Sequence, residues 1–200
     1  MKRAAILLLG LGTALATPRR TRAQDTLPVG FGSLKRDDIV ISFSTGSLQI
    51  QLLPLDESVT RLLLPDTYAS LTGLIRQRKS DIDDQAQRAG VRKPTLVLVT
   101  FFGMVSQARF VPEDINITSR GRLFRPVGIV PLSPQWSGQQ LDARQQATAI
   151  YLFEDGIAFG ESLTASYEGL TNDSWTKAVQ KLSLERVRAA GRASAKTPSH

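Results

Sequence analysis

Hydrophobic residues near the start of the sequence recur with a period of two. Ile41 and Phe43 alternate with Ser42, and residues 48–52 alternate leucine and isoleucine with glutamine. This period is typical of a β-strand with one buried face. Thr45-Gly46 lies between the two segments and indicates a hairpin turn. We therefore predict that ordered structure begins at Asp38 with a β-hairpin.

Later segments predict more strands. The run from Thr95 to Phe102 is apolar on both faces, which is typical of a strand in the centre of a sheet that is covered on both sides. Further short strands are predicted near residues 108–110, 115–117, 123–130, 148–153 and 163–167. Residues 133–147 are polar and are predicted to form a loop with a short helical piece. About seven to nine strands with frequent turns favour a β-sandwich or a barrel.

Two segments have the three- to four-residue period of a helix. In residues 65–89 the apolar stripe is Tyr68, Leu71, Leu74, Ile75, Ile82 and Ala89. Pro65 suits the first helical position and Gly90 suits the residue after the end, so one long amphipathic helix is predicted over about 65–89. It is a candidate cover for the strand 95–102. A second helix is predicted over about 173–191, capped by Asp173 and ended by Gly191.

The order of strands in residues 94–153 is similar to that of a known family of domains. A strand that is apolar on both faces is followed by Phe110, by Ile115-Asn116-Ile117, by a polar loop and by the strand from Thr148 to Phe153. This part of the chain resembles the telokin-like, immunoglobulin-fold domains of exported bacterial proteins. The resemblance implies an immunoglobulin-like β-sandwich and an exported protein, and it implies no catalytic residues.

The first 23 residues have the pattern of a secretory signal peptide. Lys2 and Arg3 precede the apolar run from Ala4 to Ala16, which is shorter than the roughly 20 residues of a membrane-spanning helix. Small residues allow cleavage before Thr17 or before Gln24. An uncleaved membrane anchor and a mitochondrial presequence are the alternatives. We expect export to the periplasm or the extracellular space.

The rest of the chain is predicted to form one domain. Residues 24–37 have loop composition and are expected to be a flexible N-terminal arm, residues 38–191 the single β-sandwich domain with helices, and residues 192–200 a disordered tail. The sequence contains no cysteine, so disulfides cannot replace a hydrophobic core. An exported chain without cysteine is more typical of a bacterial envelope than of an animal extracellular fluid.

The net charge of +7 is concentrated at the two ends of the chain. Residues 24–174 hold 14 basic and 17 acidic side chains. A nucleic-acid-binding protein would carry its positive charge on the folded domain, so this class is set aside. The basic residues after position 174 leave open a peripheral contact with an anionic surface.

No motif in the sequence indicates catalysis, a metal or a cofactor. The only histidine is His200, the last residue, and thiol chemistry is excluded because cysteine is absent. We therefore predict a protein that is not an enzyme. The alternative is a carboxylate- or calcium-dependent hydrolase built from Glu113, Asp114, Glu154 and Asp155, which requires these side chains to meet in one cleft.

Four residues are candidates for contact with a partner. Arg120, Arg122 and Arg125 cluster around Gly121 and could bind an anionic group, although they could also be ordinary exposed residues of a hairpin. Trp136 lies in the polar loop and is a candidate exposed aromatic, although it could also pack back on the domain.

The sequence favours an exported, non-catalytic binding or assembly module of the cell envelope. Its expected partner is another envelope protein or a surface polymer. The hydrolase and a peripheral protein that contacts an anionic surface through its basic C-terminal helix remain the alternatives.

Overall fold

The computed structural model describes residues 27–196. The predicted signal peptide and the last four residues lie outside this range. The strands are β1 (Ile41–Ser44), β2 (Leu48–Pro54), β3 (Thr95–Gly103), β4 (Ala108–Arg109), β5 (Asn116–Ser119), β6 (Arg122–Phe124), β7 (Pro126–Pro131), β8 (Gln140–Leu141), β9 (Gln146–Phe153), β10 (Leu163–Tyr167) and β11 (Leu170–Asn172). The helices are α1 (Glu57–Thr60), α2 (Pro65–Gln77), α3 (Lys79–Arg88) and α4 (Trp175–Lys196), with short 3-10 helices at Arg36–Asp38, Pro112–Asp114 and Pro134–Gly138. The described chain is therefore mainly β, as predicted.

The larger sheet has five antiparallel strands in the order β1-β2-β3-β9-β7. The strand predicted to be central, β3, lies in the middle of it, and the predicted hairpin of β1 and β2 forms one side. Alternate residues of β3, such as Val99 and Phe101, are fully buried on one face. On the other face Leu98 lies between Leu53 and Ile150 in a buried apolar row. The double-sided burial predicted for this strand is confirmed.

The predicted helix over 65–89 is wrong in one respect, because the structure divides it into α2 and α3. Arg78 separates them with φ −100° and ψ 13°, outside the helical range. Its N–H still donates to the carbonyl of Leu74 and its carbonyl still accepts from Ile82, so the break is a change of backbone angle at one residue. Neither proline nor glycine marks it in the sequence.

The helix α3 covers β7 and β9 on the second face of the five-stranded sheet. Gly128 in β7 allows this close approach, because a Cβ there would lie 3.2 Å from Cβ of Gln85. We expected this helix to cover β3. It mainly contacts β9, which is next to β3, and β7, which forms the edge of the sheet.

The second sheet has four antiparallel strands in the order β11-β10-β5-β6. The chain passes from this sheet to the larger one at Arg125, between β6 and β7. The single strand predicted near 123–130 is therefore divided between two sheets, because Pro126 cannot donate a ladder hydrogen bond. The two sheets meet where the rings of Phe101 and Tyr167 lie 5.8 Å apart.

The segment predicted to be a flexible arm is instead packed against the domain over residues 27–37. Leu34 forms a parallel bridge with Leu63, and Leu27 is buried. Gly32 lies so close to the chain that a Cβ would overlap the backbone of Leu62 and Leu63. The arm is fixed by contacts with residues 62–63, which are distant in sequence and leave no local signal.

The C-terminal helix is longer than predicted and starts later. It begins at Trp175, and it continues through Gly191 to Lys196, so residues 192–196 are helical rather than disordered. Gly191 lowers helix stability by about 1 kcal/mol relative to alanine, which does not end a helix anchored on both sides of it. Leu182 and Ala189 anchor it by burial, and the Arg192 guanidinium donates to the carbonyl oxygen of Phe31 at 2.6 Å.

Candidate binding groove

The three predicted arginines lie on or beside the hairpin of β5 and β6. Arg120 and Gly121 form its turn, with φ values of 53° and 74°. Arg120 forms an ion pair with Glu161, which raises the pKa of Arg120 and lowers that of Glu161 through their hydrogen bonds. Arg122 pairs with Glu154 and stacks on Phe124 at 4.7 Å. Arg125 is exposed and has no ion pair within residues 27–196.

These ion pairs weaken the case for an anion site at the arginines. Two of the three guanidinium groups are neutralised by the carboxylates of Glu161 and Glu154. The remaining charge is that of Arg125, and a single exposed cation holds an anion weakly.

Trp136 is not an exposed contact residue. It is 8% exposed, and its indole packs on Phe101, Phe110 and Tyr151 at ring distances of 5.3 to 5.9 Å. The polar residues around it in the sequence suggested an exposed loop, but the 3-10 helix at 134–138 turns this side chain into the core. The alternative interpretation, a loop anchor, is the one the structure supports.

The four carboxylates of the hydrolase alternative have separate surroundings. Glu154 pairs with Arg122, and Asp155 faces a groove elsewhere on the surface. Glu113 and Asp114 belong to the 3-10 helix at 112–114, where the Tyr151 hydroxyl donates to the carbonyl of Pro112 at 2.9 Å. Within residues 27–196 no group of three or more acidic or histidine side chains could hold a metal ion.

The structure also contains a groove of about 700 Å³ at one end of the five-stranded sheet, which the sequence did not indicate. It is lined by the end of β2 with α1, by the start of β3, by the turn after β9, by α4 and by the packed N-terminal segment. Its apolar lining residues are Pro94 and four leucines: Leu27, Leu55, Leu62 and Leu96. Leu55 and Leu96 are joined by a hydrogen bond of 2.9 Å from the N–H of Leu55 to the carbonyl of Leu96, which continues the β2–β3 pairing.

Most charged groups at the groove hold its walls together. Asp56 caps α1 by accepting from the N–H of Ser58 at 2.8 Å. Arg61 pairs with Glu57 and donates to the carbonyl of Leu27 at 3.0 Å, so it ties the N-terminal segment to α1. The hydrogen bond with Glu57 raises the pKa of Arg61. Arg186 of α4 donates to the carbonyl of Ser58 at 3.3 Å.

Lys93 and Asp155 are the exception among the charged residues of the groove. Thr95 and Phe153 are the last partners of the β3–β9 ladder at this end, and each charged residue lies two positions beyond one of them. Both residues line the groove beyond this end of the ladder, which we call the mouth of the groove. Both are exposed, and neither side chain has a hydrogen bond or ion pair within residues 27–196. They present one unpaired cation and one unpaired anion.

The composition of the lining gave no local signal for the groove. Its residues come from five separate parts of the chain, and only long-range pairing brings them together.

The chain matches no family model, no curated protein and no solved structure. No helix within residues 27–196 is both long enough and apolar enough to cross a membrane.

Proposed function

We propose that this protein is an exported, non-catalytic binding or assembly module of the bacterial cell envelope, and that the groove is its binding site. The observation that carries the proposal is the combination of an apolar leucine floor with two unpaired opposite charges at the mouth. Binding sites are typically concave and mostly apolar, with a few polar groups that set orientation. A volume of about 700 Å³ lies within the usual range of such sites.

The charged groups of the groove favour binding over catalysis. Asp56, Arg61 and Arg186 are engaged by backbone or side-chain partners that maintain the walls. A hydrolase would need two carboxylates placed across the substrate. Of the other carboxylates that line the groove, Asp56 caps α1 and Glu57 pairs with Arg61, and Glu154 is paired with Arg122. Asp155 therefore has no unpaired acidic partner at the groove within residues 27–196.

An immunoglobulin-like β-sandwich is part of the same proposal. The contact between the Phe101 and Tyr167 rings supports face-to-face packing of the two larger sheets. A hydrogen bond of 2.8 Å from the Asn172 amide of β11 to the carbonyl of Ser42 in β1 supports a closed side. Such a domain would present the groove at one end of its sheets.

Fractionation and mass measurement of the native protein test export. The envelope fraction should contain a chain that starts at Gln24 or at Thr17. A full-length chain retained in the cytoplasm would contradict export.

Binding at the groove is tested by comparing charge reversals of similar exposure. Immobilised Lys93→Glu and Asp155→Lys proteins should lose the envelope partner retained by the wild type. The controls are Arg92→Glu and Asp84→Lys, which reverse exposed charges outside the groove. Equal retention by groove and control variants would contradict a role for the groove.

The outer side of α4 favours a second candidate function, contact with an anionic surface. Leu184 and Val187 are 60% and 75% exposed and lie one helical turn apart. Lys177 and Arg188 flank them, and neither has an ion pair within residues 27–196. Basic residues near an anionic membrane contribute roughly 1 kcal/mol each, an effect that salt screens.

Liposome co-sedimentation tests this candidate. The double variant Lys177→Glu/Arg188→Glu should lose binding to vesicles rich in anionic lipid at low salt. The variant Arg92→Glu/Arg144→Glu makes the same change in net charge away from α4 and should bind as the wild type does. Equal binding by both variants would exclude a specific role for α4.

A further inference from the structure

The mouth of the groove presents two opposite charges that have no partner within residues 27–196. Lys93 and Asp155 each lie two residues beyond the last partners of the β3–β9 ladder, Thr95 and Phe153, in a bend and a turn respectively, and they form no ion pair with each other. A cation and an anion at the two sides of one opening are complementary to a ligand that itself carries both signs of charge.

The floor below these charges favours a ligand with an apolar group. Leu27, Leu55 and Leu62 are buried and Leu96 is partly buried, and all four line the groove. An apolar side chain that enters the groove would remove its own surface and the exposed part of Leu96 from water, and such burial is the main source of affinity at sites of this kind.

The acidic groups at the groove argue against an anionic amphiphile. Asp56, Glu57 and Asp155 all line it, and of the three basic residues there Arg61 and Arg186 already bind backbone carbonyls. A phosphate or a sulfate headgroup would therefore meet one free ammonium, that of Lys93, and one free carboxylate, that of Asp155, at the same groove. A peptide chain places side chains of both signs at either side of an apolar residue and has no such conflict.

The geometry points to an extended peptide segment of a partner protein as the ligand of this groove. We propose that the segment carries an apolar side chain between an acidic and a basic one. The apolar side chain lies on the four leucines, the acidic side chain pairs with Lys93, and the basic one pairs with Asp155. This inference rests on the groove being the binding site, and it adds the chemical class of the ligand.

Peptides of defined sequence test the proposal on the protein that begins at Gln24. The probes are blocked peptides with a central leucine, a glutamate on one side and a lysine on the other, at every spacing of one to three residues and in both orders. Fluorescence polarisation should find at least one order and spacing that binds. Replacing the central leucine by asparagine should weaken binding about tenfold or more, because the burial of the apolar side chain is lost.

A charge swap separates this proposal from nonspecific binding. Lys93→Glu alone should weaken the best peptide about threefold, as expected for a partly exposed ion pair. The double variant Lys93→Glu/Asp155→Lys should prefer the peptide with glutamate and lysine exchanged. The control Arg92→Glu should leave affinity and preference unchanged.

The possible outcomes show separately whether the ligand is a peptide and whether the groove is the binding site. Absence of binding by every peptide up to 1 mM, or an unchanged preference in the double variant, would overturn the peptide proposal. If groove variants nevertheless lose the native envelope partner, the groove remains the binding site and its ligand is not a linear segment. If neither peptides nor the native partner respond to groove variants, both proposals fail.

Discussion

Glu185 of α4 accepts two hydrogen bonds from Ser33, one from its backbone N–H and one from its hydroxyl, each at 2.8 Å. The carboxylate is 2% exposed and also pairs with Arg192. These contacts join the N-terminal segment to the C-terminal helix across most of the chain length. The segment that includes Leu27 is therefore held where it can form one wall of the groove.

Loss of this carboxylate should destabilise the fold. Glu185→Ala removes the acceptor of the N–H and hydroxyl of Ser33 and the ion-pair partner of Arg192, and hydrogen bonds to charged groups contribute about 1.5–3 kcal/mol. We expect the free energy of unfolding in urea to fall by about 3 kcal/mol. The control Asp84→Ala removes an exposed carboxylate with no side-chain partner and should have little effect. A loss below about 0.5 kcal/mol for Glu185→Ala would show that the contact does not hold the segment.

Two glycine substitutions should change stability in opposite directions. Gly32→Ala places a Cβ against the backbone of Leu62 and Leu63, so it should displace the N-terminal segment and lower the melting temperature. Gly73→Ala lies within α2, where a Cβ meets nothing within 4 Å, so it should stabilise by about 1 kcal/mol. Thermal unfolding of both variants checks the signs. An unchanged melting temperature for Gly32→Ala would contradict the packed arrangement of the segment.

The core of the larger sheet can be tested at Leu98. This side chain is 5% exposed in the centre of β3, so Leu98→Ala should lower stability by about 2–5 kcal/mol through lost burial and a residual cavity. Leu123→Ala removes the same atoms from a half-exposed position on β6 and serves as the control. Similar unfolding free energies for the two variants would mean that β3 is not covered on both faces.

High pH should weaken the fold through Tyr167. Burial raises the pKa of Tyr167 from 10.0 to about 12, while its hydroxyl accepts from the N–H of Val111 and donates to Glu168. The folded state thus holds the phenol proton more tightly than the unfolded state. The resulting stabilisation is fully present below pH 10 and is lost as the pH rises from 10 through 12.

Denaturant unfolding as a function of pH measures this effect. Stability should fall between pH 10 and 12 in the wild type, and the slope should be smaller in Tyr167→Phe. Burial raises the pKa of Tyr151 as well, so some slope should remain. Identical slopes for the two proteins would show that Tyr167 does not contribute.

Local periodicity predicted the strands well and the long-range contacts poorly. The strand at 95–102 and the hairpin before it follow from patterns within a few residues, and both are confirmed. The packing of Gly32 against residues 62–63 and the position of Trp136 depend on residues far away in sequence. The loop composition of the N-terminal segment and the polar neighbours of Trp136 both suggested exposure. These residues are buried because the assembled sheets and helices pack against them.

The candidate site was less accessible to sequence reasoning than the fold. The predicted arginines could be located, but their acidic partners Glu154 and Glu161 follow them by more than 30 residues. Lys93 and Asp155 come to the same end of the sheet only because β3 pairs with β9. A strand register is fixed by the whole sheet, so the sequence alone did not indicate their proximity.

Site-specific photo-crosslinking in living cells tests whether a partner binds at the groove. A photoreactive amino acid at Lys93 or at Asp155 should crosslink the same partner from both sides of the groove mouth. The same group at Asp84 or at Thr171, which are exposed elsewhere on the domain, should give no such product. We expect one shared crosslinked species at the two groove positions. Equal products at all four positions, or no product at the two groove positions, would exclude the groove as the binding site.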